Sequence, residues 1–303
     1  MKDTNTIPLY DLNGLSRSIG IIPLHDKIMA LPFSDYVRIQ DKMNIPHRHN
    51  FYHIRLFTKG SGAQTIDFDK FKIQPGQIYF MIPGQVHCWD YTDDLDGYSV
   101  NFSENIFRSI GLNPNYLEQF TFFRGIPNDS VIDLKEKALD EVTYYFKHLV
   151  DEINNKDSFS MEMVCFDLLS LFISISRHMG IPVNKQSPMQ NQNTLYKFRT
   201  LLNKHYVEKR SPKDYAAMLY ITHNQLNAVC NNCLGRTAGE LIREKIVLEA
   251  KRLLVNTDLS ISEIADKLNF NDRSYFTKFF KKYTNVTPEE FKKSLSNSIK
   301  NIQ

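Results

Sequence analysis

The most conspicuous chemical spacing in the 303 residues is Cys230-x-x-Cys233, which suits a metal or a dithiol. A structural zinc site needs a second Cys or His pair at matching spacing, and none is present. Residues 223–233 read as a helix with Cys230 on its apolar side, so both thiols are expected to be packing groups. Four cysteines in a chain of this length make no disulfide framework, which fits a reducing compartment. A second kind of chemistry is electrostatic. Residues 195–303 carry 19 Lys and Arg against 11 Asp and Glu, a balance of +8 that leaves −5 for residues 1–194 within the overall +3. A basic end joined to a mildly acidic remainder is the footprint of a nucleic-acid-binding domain attached to a domain with another task.

The basic end has the helix-start signals needed to present those cations. Ser211 precedes Pro212, which suits the first position of a helix, and Thr287-Pro288 repeats the arrangement. Thr222-x-x-Gln225, Thr237-x-x-Glu240 and Ser260-x-x-Glu263 have the capping-box pattern, in which each end of the motif satisfies a backbone N–H of the first turn. Between a helix from Pro212 to about Leu219 and one starting after Thr222 there is room for a turn of roughly three or four residues, the connection a helix-turn-helix requires. A shift of 49 residues superposes Ala216 on Ala265, Leu219 on Leu268, Ile221 on Phe270, Thr222 on Asn271, Leu226 on Tyr275 and Cys230 on Phe279. The alanines let two helices approach closely, and the apolar turn residue plugs the corner between them. Two helix-turn-helix units follow, joined by a helix from Gly239 to about Asn256. That strut, of about 18 residues and roughly 27 Å, can hold two recognition helices one DNA turn apart, about 34 Å, on one face of a duplex.

The front half has a different periodicity. From Tyr36 to Phe102 short apolar runs such as Gln64–Phe68 and Gln77–Ile82 are punctuated by Gly60-Ser61-Gly62, Pro75-Gly76 and Pro83-Gly84, the pattern of a sandwich or barrel. From Leu134 to Met179 the period becomes helical, with Leu139, Val142, Phe146, Leu149 and Ile153, then Val164, Leu168, Leu171 and Ile175, and a polar break at Asn154–Ser158 between two helices. Their apolar surface exceeds one stripe and predicts packing on the barrel and pairing with a second subunit. The stretch 182–193, rich in Pro, Gln and Asn, reads as an interdomain linker. A hydrophobic fraction of 42% with 23% charged residues excludes a disordered tail or a disulfide scaffold. The N-terminus has no basic region followed by an apolar run, and the longest apolar stretch, Leu168–Ile175, is too short for a bilayer, so a cytoplasmic protein is expected.

Periodicity and composition describe an α+β chain: a β-barrel with packed helices, suited to dimerisation, over 1–180, a linker over 181–194, and an all-α domain with two helix-turn-helix units over 195–303. The C-terminal segment resembles the AraC/XylS family of bacterial regulators from about Leu195 to Ser294. The most specific part is Ser260-Ile261-Ser262-Glu263-Ile264-Ala265, followed by Phe270-x-Asp272-x-Ser274-Tyr275-Phe276-x-Lys278-x-Phe280-Lys281-Lys282 and Thr287-Pro288-Glu289-Glu290-Phe291. The resemblance implies double-stranded DNA and RNA polymerase as partners and control of transcription, usually activation.

In the first unit the family's recognition helix corresponds to His223–Cys233, offering His223, Asn224, Asn227, Ala228 and Asn231 to bases. Asn can bond adenine bidentately in the major groove. The family often has a basic residue where Ala228 stands, which predicts the weaker reader of the two. In the second unit, Arg273, Ser274, Thr277 and Lys278 face bases, with Arg273 the leading candidate for guanine. Lys281, Lys282, Lys251 and Arg252 are expected on phosphates, setting affinity and not sequence choice. Asn269 stands where the family usually has glycine, and Asn tolerates a positive φ better than most residues.

The front half resembles the cupin-type sensor domain common in this family, through Pro46-His47-Arg48-His49, His53, Gly60, Pro75-Gly76 and Pro83-Gly84-Gln85-Val86-His87. Metal-binding cupins use two histidines two apart, a glutamate four residues on and a later histidine; here His53 replaces the glutamate. Four imidazoles could bind a transition metal, but regulators of this type generally keep the barrel as a small-molecule pocket. The expectation is therefore an effector site of His47, His49, His53 and His87 with Arg38, Arg55, Tyr79, Trp89 and Tyr98 around it, no cofactor, no assigned metal and no catalytic residue. The competing reading is a metal-dependent cupin enzyme carrying a DNA-binding module.

Overall fold

A computed structural model of the chain describes residues 8–36, 46–91, 94–112, 114–155, 157–180, 189–257 and 259–293. It divides into two compact units, one built from Pro8–Val183 and the other chiefly from Asn184–Gln303.

The first unit contains two five-stranded sheets. One runs β1 (Leu9–Tyr10), β3 (His47–His49), β8 (Val86–Tyr91), β5 (Gly62–Ile66), β6 (Asp69–Ile73); the other runs β10 (Val131–Asp133), β7 (Gln77–Met81), β4 (Tyr52–Lys59), β9 (Asp96–Phe102), β2 (Ile28–Pro32). The expected barrel is thus a jelly-roll-like pair of sheets, not a closed cylinder, an architecture that limits exposed edges by facing the sheets together. Register follows side-chain alternation: β4 pairs with β9 through His53↔Asn101 and Ile54↔Val100, and with β7 through His53↔Met81 and Ile54↔Phe80.

This alternation divides the second sheet's side chains between two cores. Met29, Leu31, Phe57, Tyr79 and Met81 pack with Phe51, Ile66, Ile73 and Trp89 of the opposite sheet and its surroundings. Their neighbours Ile28, Ala30, Ile54, Leu56, Ile78, Phe80, Val100 and Phe102 point the other way, onto α3 (Glu136–Asn155) and α4 (Ser160–His178). Both faces are covered, which is why these strands read as unbroken apolar runs. The first of these helices ends at Asn155 and the second starts at Ser160, so the polar break expected at Asn154–Ser158 falls slightly later in the chain. They present Val142, Phe146, Leu149, Ile153, Val164, Leu168, Leu171 and Phe172 to the sheet, and His148 Nδ1 lies 2.6 Å from Asp167 Oδ2 between them. Earlier in the chain, α1 (Leu12–Ile19) and the four-residue α2 (Phe33–Tyr36) flank β2.

The second unit is helical throughout its described elements: α5 (Met189–His205), α6 (Pro212–Met218), α7 (His223–Leu234), α8 (Ala238–Asn256), α9 (Ile261–Lys267) and α10 (Arg273–Thr284). α5 begins at Met189, inside the stretch read as linker, because Leu195, Phe198 and Leu202 give it an apolar face on the domain core that its polar first turns conceal. Each sequence-predicted cap is formed: Ser211 with Asp214, Thr222 with Gln225, Thr237 with Glu240, Ser260 with Glu263, and Thr287 with Glu290.

The internal repeat needs one correction. Its first helices do superpose at a shift of 49, with Ala216 and Ala265 buried and both Tyr220 and Asn269 at positive φ in the turns. The second helices superpose at 50: Thr222 matches Asp272 as N-cap, Leu226 matches Phe276, Cys230 matches Phe280, and the C-caps Gly235 and Asn285 are both left-handed. Tyr275, aligned with Leu226 at a shift of 49, is 56% exposed. The second turn is one residue longer, Asn271 being inserted before the cap, and burial of the α10 core residues reveals what a weak sequence repeat cannot.

Candidate effector site and nucleic-acid interface

Between the two sheets, β3, β4 and β8 bring four histidines together. His47, His49, His53 and His87 are all buried, with ring centroids 4.4 Å apart for His47–His87, 4.6 Å for His49–His87 and 5.2 Å for His49–His53. They are not equivalent. Arg55 Nε donates to His53 Nε2 at 2.9 Å, which puts the His53 proton on Nδ1, where it is shared with Asn101 Oδ1. Both nitrogens of His53 are therefore committed. His87 donates from Nδ1 to the Gln85 carbonyl at 3.2 Å and turns its Nε2 lone pair inward with no hydrogen-bond partner. His49, stacked on Phe51 at 4.4 Å, has neither ring nitrogen satisfied.

Burial pushes the pKa values of His49, His53 and His87 well below the ordinary imidazole value, and the neighbouring imidazoles and the Arg55 guanidinium push the same way. The rings are neutral at physiological pH, the state in which imidazole is a metal ligand or a hydrogen-bonding partner. Ligand atoms of His47, His49 and His87 lie within 4.8 Å of one another, the one such group among the described residues. His53, at the position of the cupin glutamate, is held away from that role by Arg55 and Asn101.

Arg55 lies 3.5 Å over the Trp89 ring and stiffens this wall. Trp89 Nε1 and Gln64 Oε1, paired across β5 and β8, are buried with no hydrogen-bond partner. Gln64 and Asn101 escape the sequence reading as lining residues; the signal available was a polar residue at an inward position, two before Ile66 in β5 and one before Phe102, the end of β9. Of the expected lining residues, Tyr98 lies elsewhere and Tyr79 turns its hydroxyl away from the histidines. Tyr98 is on the helix side of β9, its ring 5.9 Å from Phe146, because it shares the even positions with Val100 and Phe102. The Tyr79 ring faces the inter-sheet core, but its hydroxyl donates to Gln77 Oε1 at 2.8 Å, toward the end of the strand. Arg38 lies outside the described residues.

In the second unit α7 and α10 are the second helices of the two helix-turn-helix units. At the corrected shift of 50, His223, Asn224, Asn227, Ala228 and Asn231 correspond to Arg273, Ser274, Thr277, Lys278 and Lys281, and burial agrees: the third of each set is half-buried and the rest exposed. Asn227 has a structural bond. Its Oδ1 accepts from the Ala238 backbone N–H at 3.0 Å, joining α7 to the start of α8, and an Asn so engaged lacks the acceptor that a bidentate adenine contact needs. Arg273 forms an ion pair with Glu289, with side-chain exposures of 57% and 38%. Lys278, Lys281 and Lys282 are exposed on α10. Arg252 is instead 14% exposed and bonded to Glu249 at 2.8 Å, which removes it from the phosphate candidates. Cys230 is buried, and burial pushes its thiol pKa up to about 12, as befits a packing group.

Two helix-turn-helix units on one domain and a double-sheet domain enclosing unsatisfied polar atoms define a ligand-responsive DNA-binding regulator. Family comparison agrees in both halves: residues 215–294 match a helix-turn-helix domain and residues 37–163 an AraC-like ligand binding domain. The chain belongs to the AraC/XylS family of transcription regulators. It is 23% identical to the HTH-type transcriptional activator RhaR of Cronobacter sakazakii over 80% of this chain and 84% of that one. It is 26% identical to the HTH-type transcriptional regulator YisR of Bacillus subtilis over 76% and 81%. A solved structure of ToxT from Vibrio cholerae aligns over 88% of this chain and 98% of that one, at 14% identity and a TM-score of 0.42. No described helix is long and apolar enough to cross a membrane.

Proposed function

We propose that the protein is a cytoplasmic, non-enzymatic transcription activator that binds promoter DNA through α7 and α10 in successive major grooves, assisted by RNA polymerase contact and by dimerisation through α3 and α4. An effector bound between the sheets alters its DNA binding or promoter contact. α8, with 19 residues and hence about 28 Å long, suits the spacing of two grooves. Within α10, Arg273, Ser274, Thr277 and Lys278 read bases while Lys281 and Lys282 hold phosphates; within α7, His223, Asn224 and Asn231 make the weaker readout. One observation supports the effector site above the rest: His49 has two buried, unsatisfied ring nitrogens. Leaving such a group unpaired costs about 1–3 kcal/mol, a cost that a bound ligand recovers. The test begins with genomic fragments selected by the purified protein, whose neighbouring genes narrow the effector. Affinity and footprint on those fragments are then compared with and without each candidate. The reading fails if none changes either quantity.

The donor set favours one ligand class. Three buried, clustered imidazoles, one of them fixed by a backbone carbonyl through its second nitrogen, suit a borderline divalent transition metal. His47, His49 and His87 would hold it, with His53, Asn101 and Arg55 as the wall behind them. Cobalt(II) added to chelator-treated protein is expected to give visible d–d bands at one equivalent, lost in His49→Ala. Unchanged spectra rule out the metal and leave an organic effector.

A further inference from the structure

Arg210 belongs to neither helix-turn-helix unit by position, yet its side chain ends in the second. It directly precedes Ser211, the N-cap of α6, and its backbone neighbour is anchored there because Tyr215, buried in α6, donates its hydroxyl to the Lys209 carbonyl at 2.8 Å. The guanidinium crosses to the other unit and makes two contacts. Nη2 donates to the carbonyl of Leu268, the C-cap residue of α9. The guanidinium carbon lies 3.8 Å over the Phe270 ring. Both contacts suit a cation: helix C-terminal carbonyls carry the negative end of the helix dipole, and an aromatic face attracts positive charge.

Leu268 and Phe270 are the two walls of the second turn. Leu268 ends the first helix of the unit. Phe270 is its corner plug, buried against α10 with ring centroids 5.1 Å from Phe276 and 5.2 Å from Phe279. A side chain rooted at the start of unit one thus grips the hinge about which α10 is set. We propose that Arg210 is a positioning residue that fixes the placement of the second reading helix relative to the first, and so sets the spacing between the two half-sites the protein accepts on DNA. This rests on both units engaging one duplex. Changing the spacer by one base pair moves the second groove by about 3.4 Å and turns it by about 35°, which a locked pair of helices rejects and a loosened pair follows.

The experiment uses the full chain and duplexes bearing the two half-sites selected by the wild-type protein, with the spacer shortened by one base pair, unchanged, or lengthened by one or two. Wild type is expected to bind the altered spacers at least about fivefold more weakly, the low end of the cost of a mismatched base pair. Arg210→Ala is expected to retain most affinity for the native spacer while its penalty for altered ones falls below about twofold. Arg210→Lys, which keeps charge but not the planar fork, is expected to fall between, and Phe270→Leu, which removes the platform and leaves the carbonyl bond, provides a second variant if Arg210→Ala does not fold. Wild-type-like spacing penalties in a folded Arg210→Ala or Phe270→Leu overturn the role of Arg210, as does an equal loss of affinity at every spacer. Absence of any spacing preference in the wild type overturns instead the engagement of both units.

Discussion

In the role proposed for it as a base reader, Arg273 competes between DNA and Glu289, its ion-pair partner. With side chains 57% and 38% exposed, that ion pair belongs to the solvent-screened class worth about 0.2–1 kcal/mol. Breaking it on binding therefore weakens the complex by about 1.4-fold to fivefold. Glu289→Gln should strengthen binding by that factor on a duplex with guanine at the Arg273 position. Arg273→Ala should lose about 1–3 kcal/mol of discrimination there. The glutamate also repels phosphates directly, an effect that persists without Arg273, so the pair needs a double-mutant cycle. Fluorescence anisotropy at one fixed salt concentration on the selected duplex, for wild type, both single variants and the double variant, isolates the coupling. Glu289 does not compete for the guanidinium if Glu289→Gln improves affinity equally with and without Arg273. Competition also fails, in the opposite direction, if Glu289→Gln weakens specific binding, because Glu289 then aims the guanidinium and does not compete for it.

Asn227→Ala leaves the N–H of buried Ala238 unsatisfied and should destabilise the second unit by about 1–3 kcal/mol, with equal affinity loss on specific and random DNA; Asn231→Ala should alter base preference without moving the urea midpoint. Tyr220, 96% exposed at φ +56°, loses no packing on replacement, so Tyr220→Asn should stabilise by about 1 kcal/mol and Asn269→Tyr destabilise by a similar amount, both followed by circular dichroism at 222 nm. The hydrogen bond that His148 Nδ1 donates to the Asp167 carboxylate raises the His148 pKa above 6.5, against the opposing effect of burial. A raised folded-state value stabilises fully below pH 6.5 and is lost as pH rises through that value. The melting temperature followed by Trp89, the single tryptophan, should therefore fall across this window in wild type and flatten in Asp167→Asn.

Local chemistry was the legible part of the chain. Helix starts at Ser211, Thr222, Thr237, Ser260 and Thr287 depend on residues three apart bonding each other's backbone, so a few letters specify them. The burial of Cys230 is readable from helical periodicity, and the positive φ at Asn269 from the glycine that the family resemblance places there. What stayed hidden depends on distant partners. The residue inserted at Asn271 shows only when Phe276 and Phe280, not Tyr275 and Phe279, turn out to face the core. Two open sheets and a closed barrel share one alternation of side chains, so strand spacing cannot separate them. Tyr98 sorts with the histidines in sequence because its face depends on the register of β9 against β4, and Asn227 resembles a base reader because its partner, Ala238, is in another helix. His53 fits a ligand set in sequence, whereas its commitment to Arg55 and Asn101 needs three strands in place.

Strand β4 separates the histidines from the helices by the thickness of one backbone. His53 and Arg55 face the imidazoles, while Ile54 and Leu56, their immediate neighbours, face α3 and α4. Close-packed interiors compress little, so the sheet works as the diaphragm of a pressure gauge: displacement on the histidine side must be taken up on the helix side. On the proposed effector site, occupancy near His53 would thus be read from behind, at the seats of Phe146 and Phe172, by helices on the far side of the sheet.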